Sequence, residues 1–236
     1  MRTNIATVTA ASALLLAMPA LAEERSFDYS GFDSVSVSAG IRTILVHDGD
    51  TTVQASAKGR NGLRTLDIQQ RGRQLVVSRE TSWSLFGLFR RDPEIVVTIA
   101  MPELVDVSVS SGASVRLSEF SESTLSIDVS SGANVTATQV VVDRLSLDAS
   151  SGASLDISGE CQQVSASASS GAAIGAGDLN CETVGLDSSS GASIRAQANG
   201  DLSVSASSGA SVLVLGQPTN VDQSSSGGAS VTIRAR

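Results

Sequence analysis

The sequence predicts an all-β fold, a parallel β-helix or solenoid of about 20 residues per coil, taken as right-handed. Three observations predict it. A Gly-Ala phrase returns seven times at a nearly constant interval. Apolar and polar residues alternate on both sides of each copy. And the 236-residue chain is 41% hydrophobic yet holds one Trp, one Tyr and five Phe, so its core must be thin and regular.

The phrase is centred on Gly112, Gly132, Gly152, Gly171, Gly191, Gly209 and Gly228, at gaps of 20, 20, 19, 20, 18 and 19. With each Gly as zero, position −7 holds Val105, Leu125, Leu145, Val164, Val184, Leu202 and Val221. Position −5 is apolar in all copies but the last, where Gln223 stands, and positions +3 and +5 carry only Val, Leu, Ile or Ala. Even positions are mostly Ser, Asp, Thr or Arg. This period-two pattern gives each repeat two half-buried strands. The Gly marks the bend between them, because it tolerates positive φ. Ala at +1 is inward by parity, and only a small side chain fits inside a tight corner. The same parity turns the −1 serines (Ser111 to Ser208) inward and the −2 serines toward solvent. A leucine-rich repeat wants a Leu/Asn frame that is missing, and a left-handed hexapeptide helix wants an apolar residue every six. A β-sandwich does not call for a fixed 20-residue register.

Cys161 and Cys181 both stand ten residues before a repeat glycine. Stacked coils bring equivalent positions to about 5 Å, within disulfide reach. A Cys161–Cys181 bridge across adjacent coils is therefore expected, with two buried thiols as the alternative. Two stretches of sequence precede the repeats. Residues 1–22 read as a signal peptide: a basic start at Arg2, an apolar run, and Ala20-Leu21-Ala22 before Glu23. A retained membrane anchor is the alternative. No Cys follows the cleavage point, so no lipid anchor is expected. Residues 23–104 are strand-like and read as earlier, less regular coils of a single domain spanning 23–236. The mature chain is expected to be exported, periplasmic or extracellular.

The segments "GFDSVSVSAGIRTILVHDGD", "LVVSRE" and "IVVTIAMPELVDVSVSSGASV", in this order, resemble the bacterial head GIN domain family, labelled a "putative auto-transporter adhesin". The resemblance spans about residues 27–236. Gly40-Ile41-Arg42 stands where the family has Gly-Ile-Asn, so Arg42 departs from the third letter. The resemblance implies an exported, non-enzymatic β-helix with a role in adhesion. No translocator barrel or wall-anchor signal follows Arg236, so a complete autotransporter is not expected.

The chemistry on offer is limited. The net charge of −8 argues against nucleic acid as partner. His47, the one histidine, stands beside Asp48 at a strand end and lacks a G-x-S-x-G elbow. Asp128, Asp148 and Asp187 share position −4, which makes either a solvated acidic face or a strip for calcium. The hydroxyl ladder is either a soluble surface or a sugar-binding one. No cofactor and no metal ligand set is expected. The stretch "WSLFGLFRR" does not repeat. Trp83, Leu85, Phe86, Leu88 and Phe89 precede Arg90 and Arg91, a mixture that suits a membrane interface or a partner groove. The alternative is a loop folded back over the solenoid. Residues 23–91 carry 10 basic against 8 acidic side chains, and residues 92–236 carry 5 against 16. The basic, aromatic part is thus the one suited to an anionic envelope surface. A non-enzymatic module binding an envelope component, a glycan or another protein is the expected function. The alternatives are a polysaccharide-active enzyme, or an assembly module pairing through open coil ends, with Arg234 and Arg236 as gatekeepers.

Overall fold

The computed structural model describes residues 22–59, 61–80 and 94–235. Residues 1–21 of the expected signal peptide and the whole 83–91 stretch lie outside these residues. The chain forms β1 (Ala22–Phe27), β2 (Ser34–Val37), β3 (Arg42–His47), β4 (Thr52–Lys58), β5 (Leu66–Arg71) and β6 (Gln74–Arg79). There follow β7 (Ile95–Met101), β8 (Asp106–Val109), β9 (Ser114–Ser118), β10 (Ser121–Val129), β11 (Asn134–Ala149) and β12 (Ser154–Ala168). Last come β13 (Ala173–Ser188), β14 (Ser193–Gln197), β15 (Asp201–Ala206), β16 (Ser211–Leu215), β17 (Asn220–Ser225) and β18 (Ser230–Arg234). All belong to one continuous sheet wound into a β-solenoid with about 20 residues per coil.

From β8 onward, equivalent positions pair in parallel. Leu125 lies against Leu145, Leu145 against Val164, Val164 against Val184, and Val184 against Leu202. The columns at −5, −3, +1, +3 and +5 fill the interior through Val214. Each fully buried Val, Leu or Ile contributes roughly 1.5–3 kcal/mol of apolar transfer, so the repeated columns set the stability.

The burial alternation breaks at three places per coil rather than one. In β11 the pairs Thr138-Gln139 and Asp143-Arg144 are exposed side by side, as are Ser131-Gly132 before the strand. Each break turns the chain, which gives a third short face. Val140 and Val142 supply it in this coil, and Cys161 and Cys181 continue it. Two strands per repeat was the expectation. The third face escaped it because only two inward residues per coil occupy it, too few for a visible period.

The tight corner also differs from expectation. Ser111, Ser131, Ser151, Ser170, Ser190 and Ser208 have φ of 52–54°, and the following glycines have φ of 68–74°. Two consecutive left-handed residues, closed by Ala113 N–H to Ser110 O (3.1 Å) and its equivalents, make a type I′ turn. The left-handed twist throws the −1 side chains outward, so these serines are exposed, not inward. The carbonyl, not the hydroxyl, does the stacking: Gly112 N–H donates to Ser131 O at 3.1 Å, and the pattern runs on to Gly209 and Gly227 O. The corner is thus part of the backbone ladder.

At the N-terminal end the coils are not stacked in chain order. The β2–β3 rung is sandwiched between β8–β9 above and β6–β7 below. Below that rung the pairing turns antiparallel, β4 on β7, β1 on β4, and β5 on β6. These hairpins seal the end with Phe32 and Leu63 buried. Tyr29 O–H donates to Ile68 O at 2.6 Å. Arg73 Nε donates to Asp33 Oδ2 at 2.7 Å and ties the β5–β6 hairpin to the first rung. Burial pushes the Asp33 carboxyl up, but the Arg73 guanidinium and the Ser34 hydroxyl outweigh it and hold it below the usual range. Where other rungs have the two-residue corner, β6 and β7 are joined by residues 80–94.

Candidate functional site

The regular face before each corner carries a groove of about 670 Å³. Its floor is the −4 column, where pairing sets Asp128, Asp148, Ser167, Asp187, Ser205 and Ser224 in register. Its side is the −2 column from Ser130 to Ser226. At about 4.8 Å per rung the row spans roughly 24 Å. The −2 serines from Ser130 to Ser207 are half-buried and Ser226 is exposed; their backbone N–H and C=O groups are both engaged, as in Ser130 N–H to Val109 O (2.9 Å) and Ala133 N–H to Ser130 O (3.0 Å). Beside the groove stand the exposed −1 serines at the corner tip.

The carboxylates are perturbed at one end. Burial pushes Asp128 above the usual carboxylate range, and the charges of Asp148 and Asp106 add to it. Burial likewise raises Asp106, one rung before. Ser146 Oγ donates to Asp148 Oδ2 at 3.4 Å. The lining offers carboxylates and hydroxyls, with no Arg, Lys, His or aromatic side chain among the described residues. Such a surface accepts hydrogen bonds from hydroxyl and ammonium groups and repels anions. Among the described residues there is no group of three or more His, Cys, Asp or Glu placed to hold a metal ion. His47 is exposed, packs edge-on against Phe120 at 5.7 Å between ring centroids, and stands apart from the acidic row.

A second, wider groove of about 990 Å³ runs along the third face. Glu122, Asp143, Glu160, Glu182 and Asp201 line it, with the half-exposed Val141. Beneath lies the Cys161–Cys181 disulfide, whose Cα atoms are 4.5 Å apart in paired register. Sequence reasoning found the Asp column and the cysteines. It missed the wide groove, since its acidic residues fall at no single repeat position. Trp83, Leu85, Phe86, Leu88, Phe89, Arg90 and Arg91 lie outside the described residues.

Among solved structures the chain is similar to "a putative adhesin" from Bacteroides fragilis, at 17% identity and a TM-score of 0.80, over 92% of this chain and 97% of that one. It is also similar to a "putative lipid binding protein" from Parabacteroides distasonis, at 16% identity and TM-score 0.70, over 90% and 96% of the two chains. A third, "a putative adhesin" from Parabacteroides merdae, shares 13% identity at TM-score 0.65, over 90% and 96%. These likenesses show the fold. No curated protein matches the sequence. The profile described as "Putative auto-transporter adhesin, head GIN domain" matches residues 31–218, and the chain belongs to that family.

Proposed function

We propose that this chain is an exported, non-enzymatic adhesion module that holds a hydroxyl-rich envelope polymer, a neutral or amino-sugar glycan, along the Asp/Ser groove. The observation that carries this reading is the register of the −4 and −2 columns. It sets a straight row of carboxylates and hydroxyls over six rungs. An extended polymer meets such a row with repeated weak contacts, each a hydrogen bond contributing about 0.5–1.5 kcal/mol net. The family description and the adhesin-named structural relatives support the same reading. Trp83, Phe86, Phe89, Arg90 and Arg91 are a proposed second contact toward an anionic envelope surface, on their sequence alone.

The test is binding of the purified chain to an array of immobilised neutral, amino-sugar and acidic glycans. Arginine at Ser167 and Ser205 fills the groove and is expected to abolish binding to neutral and amino sugars. Alanine at 83, 86, 89, 90 and 91 is expected to spare it. Wild-type binding by the groove-filled variant removes the groove as the site. A depolymerisation assay on the bound glycans checks the non-enzymatic reading, and release of shortened products overturns it.

A further inference from the structure

The two ends of the solenoid are finished differently. At the N-terminal end, antiparallel strands β1, β4 and β5 close the stack, and the outermost carry Glu24, Arg25, Asp67 and Arg71. Charged edge residues of this kind discourage strand addition. At the other end, among the described residues, β17 pairs only with β15, and β18 only with β16. The interior columns continue into this last rung without cover. Val221 is 49% exposed and Ile233 37%, while Leu202 and Val214, their partners one rung earlier, are 3% and 0%. Repeat stacks need a capping unit with a polar outer face to stay soluble. Here the last rung has only two polar substitutions at inward positions, Gln223 and Ser225.

We propose that a second copy of this chain covers the open rung, end to end, about a two-fold axis that passes the corner at Gly228. Such an axis lays β17 of one copy over β18 of the other, antiparallel. A residue n places before Gly228 then meets the residue n places after it. This register sets Asp222 at −6 opposite Arg234 at +6, twice per dimer. The two are both exposed and outward-facing, and Arg occurs at +6 in no other repeat. The same register sets Gln223 over the exposed Ile233, Ser225 over the half-buried Val231 and Ala235 over the exposed Val221. Opposite charges placed directly across an antiparallel pair stabilise it, and like charges there destabilise it. Arg234 is therefore a pairing residue in this arrangement, not a gatekeeper.

The asymmetry of the ends also sets the stoichiometry. Head-to-tail stacking would make an open filament, but among the described residues the N-terminal end is closed by antiparallel, charged strands, which favours the self-complementary contact. One rung on each side buries less than the about 1,600 Å² of a standard interface, so a reversible dimer is expected.

Sedimentation velocity of the full mature chain at rising concentration tests this. The wild type is expected to pass from monomer to dimer and no further. Asp222→Arg or Arg234→Asp alone is expected to weaken the dimer by about tenfold, from loss of two exposed pairs and their replacement by like charges. The double variant Asp222→Arg/Arg234→Asp is expected to restore it. Far-UV circular dichroism confirms that each variant is folded. Arg234→Ala separates the two roles of this residue: pairing predicts a weaker dimer, gatekeeping a stronger one. A monomer at every concentration, larger assemblies, no rescue by the double variant, or tighter association of Arg234→Ala each overturns the proposal.

Discussion

Replacing both cysteines by valine isolates what the Cys161–Cys181 bridge does. Valine is the right substitute because Val142 fills the same inward position one coil earlier and is 4% exposed. Packing of the third face is thereby kept, and only the covalent link is lost. The link closes a loop with a sequence separation of 20. A denatured chain freed of that loop gains about 11 cal/mol/K, or about 3.3 kcal/mol at 25 °C, in the chain-entropy treatment. For a chain of this length such a loss lowers the midpoint of thermal unfolding by roughly 6–12 °C. The assay is urea unfolding followed by circular dichroism, with and without reductant. The Cys161→Val/Cys181→Val variant is expected to lose about 3 kcal/mol and to ignore reductant, while the wild type falls to the same value when reduced. A variant within about 0.5 kcal/mol of the oxidised wild type would show that the entropy of this one-coil loop does not govern stability.

Among the described residues three buried hydroxyl oxygens lack a hydrogen-bond partner, Thr43 Oγ1, Thr65 Oγ1 and Ser188 Oγ, and two of them belong to fully buried residues, Thr43 and Ser188. Thr43 stacks between Val97 and Val115, and Ser188 follows Ala168 and precedes Ala206. Thr43→Val and Ser188→Ala are each expected to raise stability by about 1–2 kcal/mol in equilibrium unfolding, since each removes an unpaid desolvation; a loss at either site would reveal a hydrogen bond the side chain makes. Gly159 has φ of +143°, and a Cβ there would run into the Val140 backbone, whereas Gly132 at φ +68° has nothing within 4 Å. Gly159→Ala is expected to cost at least 3 kcal/mol and Gly132→Ala about 1–2 kcal/mol, and equal costs by the same measurement would refute the distinction. Asp106 and Asp128 have raised pKa values, so the folded state holds more protons than the unfolded one from about pH 4 upward, and stability falls as pH rises through that window. Asp128→Asn is expected to flatten part of that fall and to stabilise at pH 7, which a pH series of unfolding midpoints checks.

The repeat was legible because stacking is in register. One period places every inward residue, so Val107, Ile127 and Leu147 could be read as one column before any coordinates. The Cys column followed from the same arithmetic. Parity failed at the corner, where two left-handed residues in succession do not continue a strand's alternation, and the −1 serines were assigned to the wrong side. It failed again at the N-terminal end, where β2–β3 precedes β6–β7 in sequence but lies above it in the stack. Alternation reports which face a residue takes, not which strand lies next to it, so this order and the antiparallel pairing of β4 could not be read. The wide third-face groove depends on consecutive exposed pairs such as Asp143-Arg144, which look like any polar dipeptide.

The corner residues bear most directly on function. A left-handed backbone costs an ordinary L-residue about 1–2 kcal/mol, and Asn or Gly takes it more cheaply. Yet Ser fills that position in six rungs, with its side chain exposed at the tip. The hydrogen bonds that hold the corner come from backbone groups, so they do not ask for a hydroxyl. The ladder of tip hydroxyls is then dispensable for the fold but lies beside the Asp/Ser groove, where a bound polymer would reach it. Replacing Ser131, Ser151 and Ser170 together by Asn should therefore separate stability from binding. Unfolding is expected to hold or improve by a few tenths of a kcal/mol per site, because Asn tolerates the left-handed region better. Glycan retention on the array is expected to fall, because the longer amide displaces contacts at the groove's edge. If instead stability drops and binding holds, the serines serve the corner and not the ligand.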